Sequence, residues 1–171
     1  MKTVEKNGVV AGLLKDVQIP RMFRARQSFP RPVIRPEEIP DVVFKELSQE
    51  KFALKVKPGM EIAITAGSRG IANVDIITKA VVDFVKSRGA VPFIVPAMGS
   101  HGGATARGQL EILAGYKITP ETMGCEIRSS METVYLGQSS SGRPVYMDKN
   151  AYGADGIIIS CRLKPHNAFR P

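Results

Sequence analysis

Cysteine and histidine are both scarce, with two of each among 171 residues. Cys125 and Cys161 lie far apart and make no C-x-x-C pair. That excludes the common zinc and dithiol patterns and points to small buried hydrophobes in a reducing compartment. No apolar run approaches the ~20 residues a membrane-crossing helix needs. The opening residues, Met1-Lys2-Thr3-Val4-Glu5-Lys6, hold no signal-peptide core. A cytoplasmic location without a membrane partner is therefore expected. Three familiar catalytic and nucleotide-binding signatures are missing as well. There is no G-x-S-x-G elbow, which disfavours serine hydrolysis, and neither the Walker lysine pattern nor G-x-G-x-x-G occurs. Internal repeats and low-complexity tracts are absent too.

The length and a 43% apolar share suffice for a self-supporting core. Net charge is +8, and residues 1–58 carry 12 basic against 7 acidic side chains, which is +5 of that total. The local excess comes from Arg21, Arg24, Arg26, Arg31 and Arg35, with no acid between them. Partial alternation and flanking prolines suggest a solvated edge strand. A contact with another domain or subunit is the second reading. Nucleic-acid binding is disfavoured, since no recognition helix, zinc module or aromatic-plus-basic strand accompanies the arginines.

The pattern predicts a basic strand-and-helix segment over 1–58, packed on an α/β core over 59–171. A helix is expected at about 37–50, ended by the Pro58-Gly59 turn. Then follow a strand at 60–66, a helix at about 73–87, a strand at 91–96 and a helix at about 105–115. In the first core helix Val74, Ile77, Val81, Phe84 and Val85 recur at spacings of three and four. Asn73 is placed as its N-cap and Gly89 as its stop. Glu132–Gly137 and Arg143–Met147 read as a hairpin around Ser139-Ser140-Ser141-Gly142, and a last strand is expected at 156–161. The fold class expected is α/β: a Rossmann-like, mostly parallel sheet with flanking helices and a hairpin insertion.

Three apolar strands each open onto a polar loop, and in open α/β sheets ligands bind beyond the strands' carboxyl ends. Ala66-Gly67-Ser68-Arg69-Gly70 leads into a helix, where free N–H groups and an arginine fork suit a phosphate or carboxylate. Gly99-Ser100-His101-Gly102-Gly103 lets backbone approach a ligand beside an imidazole, with Thr105 capping the next helix. His166 follows Lys164-Pro165. The charges of Lys164 and Arg162 would tend to keep its imidazole neutral and able to take a proton. Structural alternatives stand beside each: a tight turn with a surface arginine, a capping histidine, an exposed polar histidine.

Together, Gly-Ser-Arg-Gly, then Gly-Ser-His-Gly-Gly-Ala-Thr, then Arg-Leu-Lys-Pro-His-Asn-Ala-Phe-Arg resemble the amino-terminal domain of the lactate racemase family. The resemblance covers about residues 10–171. It is nearer to less studied members with Gly-Ser-Arg-Gly than to the lactate enzymes, whose first loop is more like Asp-His-Thr-Arg-Pro. The resemblance implies a racemase or epimerase of 2-hydroxy acids working by hydride transfer with a nickel-pincer nucleotide. It implies His101 and His166 as the two acid–base residues and Ala66, Gly67, Ser68 and Arg69 as cofactor contacts, with Arg69 also binding substrate. The family's anchoring lysine and nickel-binding histidine are expected downstream of Lys-Pro-His. No metal ligand, bound cofactor or activity is then expected of residues 1–171 alone, and a carboxy-terminal domain is the expected partner. Two other classes remain: a non-catalytic module binding a phosphorylated small molecule, and a basic interaction domain.

Overall fold

The computed structural model describes residues 8–18, 21–28, 32–67 and 70–162. The chain divides into two compact units, 1–33 and 34–171. In the first, α1 (Val9–Leu13) is a single short turn of helix. Residues 21–28 are exposed and form neither helix nor strand. The edge strand expected there is not formed, because its alternation of arginine and apolar side chains finds no strand to pair with among the described residues.

The second unit begins with a 3-10 turn, Pro36–Glu38, running into α2 (Ile39–Leu47). A break at Ser48-Gln49 precedes α3 (Glu50–Ala53). The expected single helix is thus three pieces: Pro40 starts α2 afresh, and Gln49 turns extended at ψ 136°. Next come β1 (Glu61–Ala66), α4 (Val74–Ser87), β2 (Val91–Pro96), α5 (Ala106–Gly115), α6 (Pro120–Met123) and β3 (Glu126–Ile127). The hairpin β4 (Thr133–Gln138) and β5 (Pro144–Asp148) follows, then α7 (Lys149–Tyr152) and β6 (Gly156–Ile158).

The main sheet has the order β3-β2-β1-β6, every neighbouring pair parallel. Parallel strands are covered on both faces, and the alternation in β1 shows it. Ile62, Ile64 and Ala66 join Val81, Val82, Phe84, Val85 and Leu113 on the α4 side. Ala63 packs with Phe93, Val95 and Ala151 on the other. On α4 the buried set includes Thr78, Ala80 and Val82, while Ile77 is only half-buried. The Phe44 ring of α2 meets Phe84 edge-on at 5.5 Å. Gly89 ends α4 at φ +76°, and its carbonyl accepts from Gly59 N–H at 2.8 Å, so the Pro58-Gly59 turn is stitched to the helix end. Asn73 has left-handed backbone, φ 54°, and makes no side-chain cap, unlike its expected role.

On the second face Arg128 lies 4.0 Å over the Phe93 ring and is held by Glu61 and Glu126 at 2.9 and 2.8 Å. Those two hydrogen bonds raise its pKa further. Among the described residues no helix is long and apolar enough to cross a membrane.

Candidate functional site

The loops after β1, β2 and β6 leave the same end of the parallel sheet. Ala66, at the end of β1, is 1% exposed, and its carbonyl accepts from Ala97 N–H at 2.7 Å. Its contribution at this end is backbone geometry. Gly67 is half-buried. Ser68 and Arg69 lie outside the described residues. Gly70 resumes the chain at φ +81°.

The third loop is shaped by Thr65. Its hydroxyl accepts from Ser160 N–H at 2.9 Å and donates to Ser160 carbonyl at 3.4 Å. A side chain thus takes over the backbone bonds that a longer strand would have made, and β6 ends at Ile158 rather than at residue 161. At the other end Asp155 brackets the pairing: its carboxylate accepts from Glu61 N–H at 2.8 Å, and its own N–H donates to Glu61 carbonyl at 3.0 Å. Beyond Ser160 the strands separate, and Arg162 reaches across so that its Nη1 donates to Gly70 carbonyl at 2.8 Å. The first and third loops are joined there.

Between them lies a crevice of about 490 Å³ lined by Thr65, Gly67, Gly70, Ser160, Cys161 and Arg162. Ala97, just past the end of β2, contributes to its wall. Backbone groups, two hydroxyl-bearing residues and a guanidinium suit an anionic ligand group. Arg162 is the cation that sequence reading treated only as a neighbour of His166; its signal was its place just after an apolar run. His166 lies outside the described residues.

His101 is half-buried on the loop between β2 and α5, with its Nδ1 atom buried. It is not one of the residues lining the crevice. Its N–H donates to Met98 carbonyl at 3.2 Å. Thr105 caps α5 as expected, accepting from Gly108 N–H at 3.1 Å. Of the expected loop residues, Gly67 borders the crevice, Ala66 closes β1 beneath it, and His101 stands on the adjacent strand's loop.

Neither cysteine is the buried hydrophobe expected. Cys125 is half-buried and Cys161 exposed. Burial pushes the Cys125 thiol up, which keeps it protonated and poorly nucleophilic. Among the described residues no group of three or more His, Cys, Asp or Glu is placed to hold a metal ion. A larger groove, about 620 Å³, runs along β6 and is lined chiefly by apolar side chains such as Leu47, Phe52, Val56, Phe84 and Ile157.

No curated protein and no solved structure gives a significant match to the chain. A family comparison does: residues 12–169, a span that takes in all three loops, match the lactate racemase N-terminal domain, and the chain belongs to that family.

Proposed function

We propose that this chain forms the amino-terminal part of a racemase or epimerase acting on 2-hydroxy acids, with His101 and His166 as its acid–base pair. The observation that carries the reading is the family match over residues 12–169. The crevice supports it: Arg162 and the loop backbone at residues 67 and 70 fit the phosphate or carboxylate end of a ligand. A nickel-pincer nucleotide would be held there by Gly67 and Arg162, with Ala66, Ser68 and Arg69 as the further contacts that the family resemblance implies. When bound, such a cofactor supplies a hydride acceptor for the substrate carbon. Among the described residues no group of three or more His, Cys, Asp or Glu is placed to hold nickel.

The chain's own residues have two tasks. The first is binding: Arg69 and Arg162 neutralise anionic groups and orient the substrate, a role in which a guanidinium fork is worth more than a point charge. The second is proton movement. His101 would take the proton of the substrate hydroxyl. His166 would serve the opposite face in the same way, so that a proton can be taken or returned on either face of the substrate. With Nδ1 of His101 buried, Nε2 is the nitrogen that exchanges the proton. Imidazole suits the task because it titrates near neutrality.

The test is stereoisomer exchange by the intact protein on substrate deuterated at the reacting carbon. His101→Ala and His166→Ala should each abolish exchange while sparing ligand binding. In the unsubstituted protein the label should stay on carbon. Wash-out of deuterium to solvent would establish carbanion chemistry instead, full activity in both variants would overturn the histidine pair as the acid–base groups, and no exchange by the unsubstituted protein would remove the enzyme reading.

A further inference from the structure

We propose that Gln109 is a positioning residue for His101, a role that rests on the reading of His101 as an acid–base group. Gln109 is on α5, is 4% exposed, and shares the helix's inner face with Leu113. A buried polar side chain in a helix costs stability unless it is hydrogen-bonded. This one is: its Nε2 donates to Gly99 carbonyl at 2.9 Å. Two residues before His101, the loop is thus tied to the first turns of α5.

One residue after His101 there is a second tie. The Thr105 hydroxyl donates to Gly102 carbonyl at 2.9 Å. Here the loop also lies directly on the helix, since a Cβ on Gly102 would come within 2.4 Å of the Gly108 carbonyl carbon. The histidine is therefore held between two carbonyl anchors, Gly99 and Gly102, both gripped from α5. The loop needs such grips. Gly99, Gly102, Gly103 and Ala104 all have positive φ, from 54° to 68°, and for Ala104 that conformation is costly and persists only where the surroundings over-determine it.

The two anchors differ in what they do besides. Thr105 is also the helix cap, so its loss disturbs α5 itself. Gln109 makes no cap, and its amide bond is spent on the loop. A general base must lie within hydrogen-bond reach of the proton it takes, and small misplacements are expensive. Releasing the Gly99 side should leave the helix folded and let the imidazole wander.

Gln109→Met keeps the side chain's length and its burial while removing the donor. Amide hydrogen exchange at Gly99–Ala104 in this variant should quicken about tenfold, the worth of one hydrogen bond, with α5 amides unchanged. In the intact protein kcat for stereoisomer exchange should fall at least about tenfold with KM unaltered. Unchanged loop protection in Gln109→Met overturns the proposal, as does a loosened loop with unchanged kcat. Full activity of His101→Ala would instead overturn the acid–base reading on which it rests, and that result is read without any Gln109 variant.

Discussion

Gly108 and Gly115 stand on the same helix in opposite surroundings. A Cβ on Gly108 would lie 2.0 Å from Gly102 carbonyl oxygen, whereas nothing lies within 4 Å of one on Gly115. Gly108→Ala should therefore destabilise by about 3 kcal/mol or more, since backbone cannot yield as a side-chain tip can. Gly115→Ala should stabilise by about 0.5 kcal/mol through the unfolded chain's lost freedom. Paired denaturant titrations decide; equal effects would show that the loop does not rest on α5. Legibility at this scale was uneven. His101 announced itself through the glycines around it, because a residue flanked by Gly99, Gly102 and Gly103 sits in unusual backbone. Gln109 and Thr65 gave no such signal, for their value lies in carbonyl and amide partners that only the fold brings near. The one clue was a glutamine on an otherwise apolar helix face, four residues before Leu113.

Among the elements, the hairpin shows how far local pattern reaches. Alternation and the Ser-Gly turn were enough to foresee antiparallel pairing of β4 with β5, but not the register shift between Tyr135 and Gly137. The strand ends at 158 were likewise hidden, since a side chain from β1 decided them. The hairpin's far end is tied to α7 through Glu132 and Lys149. Lys149 N–H donates to Glu132 carbonyl at 3.1 Å, and the side chains pair at 2.9 Å. The hydrogen bond from Lys149, followed by its charge, holds the Glu132 carboxyl below the ordinary 4.5. A depressed carboxyl stabilises the fold above its unfolded value and loses that contribution as pH falls through the folded one. Protection of hairpin amides should accordingly weaken on acidification from about pH 6 to about pH 3, by a small amount because both groups are exposed and salt-screened. Glu132→Gln should flatten that part of the profile. A profile identical in the two proteins would show the pair to be idle.

For the whole molecule, the parallel βαβ core was the readily legible part, because fully buried strands are continuous apolar runs and α4 carries a regular stripe. The arginine-rich stretch was misjudged because alternation without a partner strand makes no sheet. Its exposure has a practical outcome. Brief trypsin digestion should cut after Arg21, Arg24 and Arg26 ahead of Lys79 or Arg107, which lie within helices. Mass spectrometry of the first products would show it, and an initial cut within α4 or α5 would contradict the fold described. The sheet's layout also bears on ancestry. Ala66 and Val74 are fixed in the core, and among the described residues between them Ile71 packs against it. Gly67 has open space around a Cβ, whereas Gly70 at φ +81° keeps its backbone requirement, so a lineage can rewrite part of this loop without renegotiating the scaffold. Relatives that share this framework can then diverge in the molecules they accept by exchanging one short cassette, so descent is best traced through the strands and chemical preference through that loop.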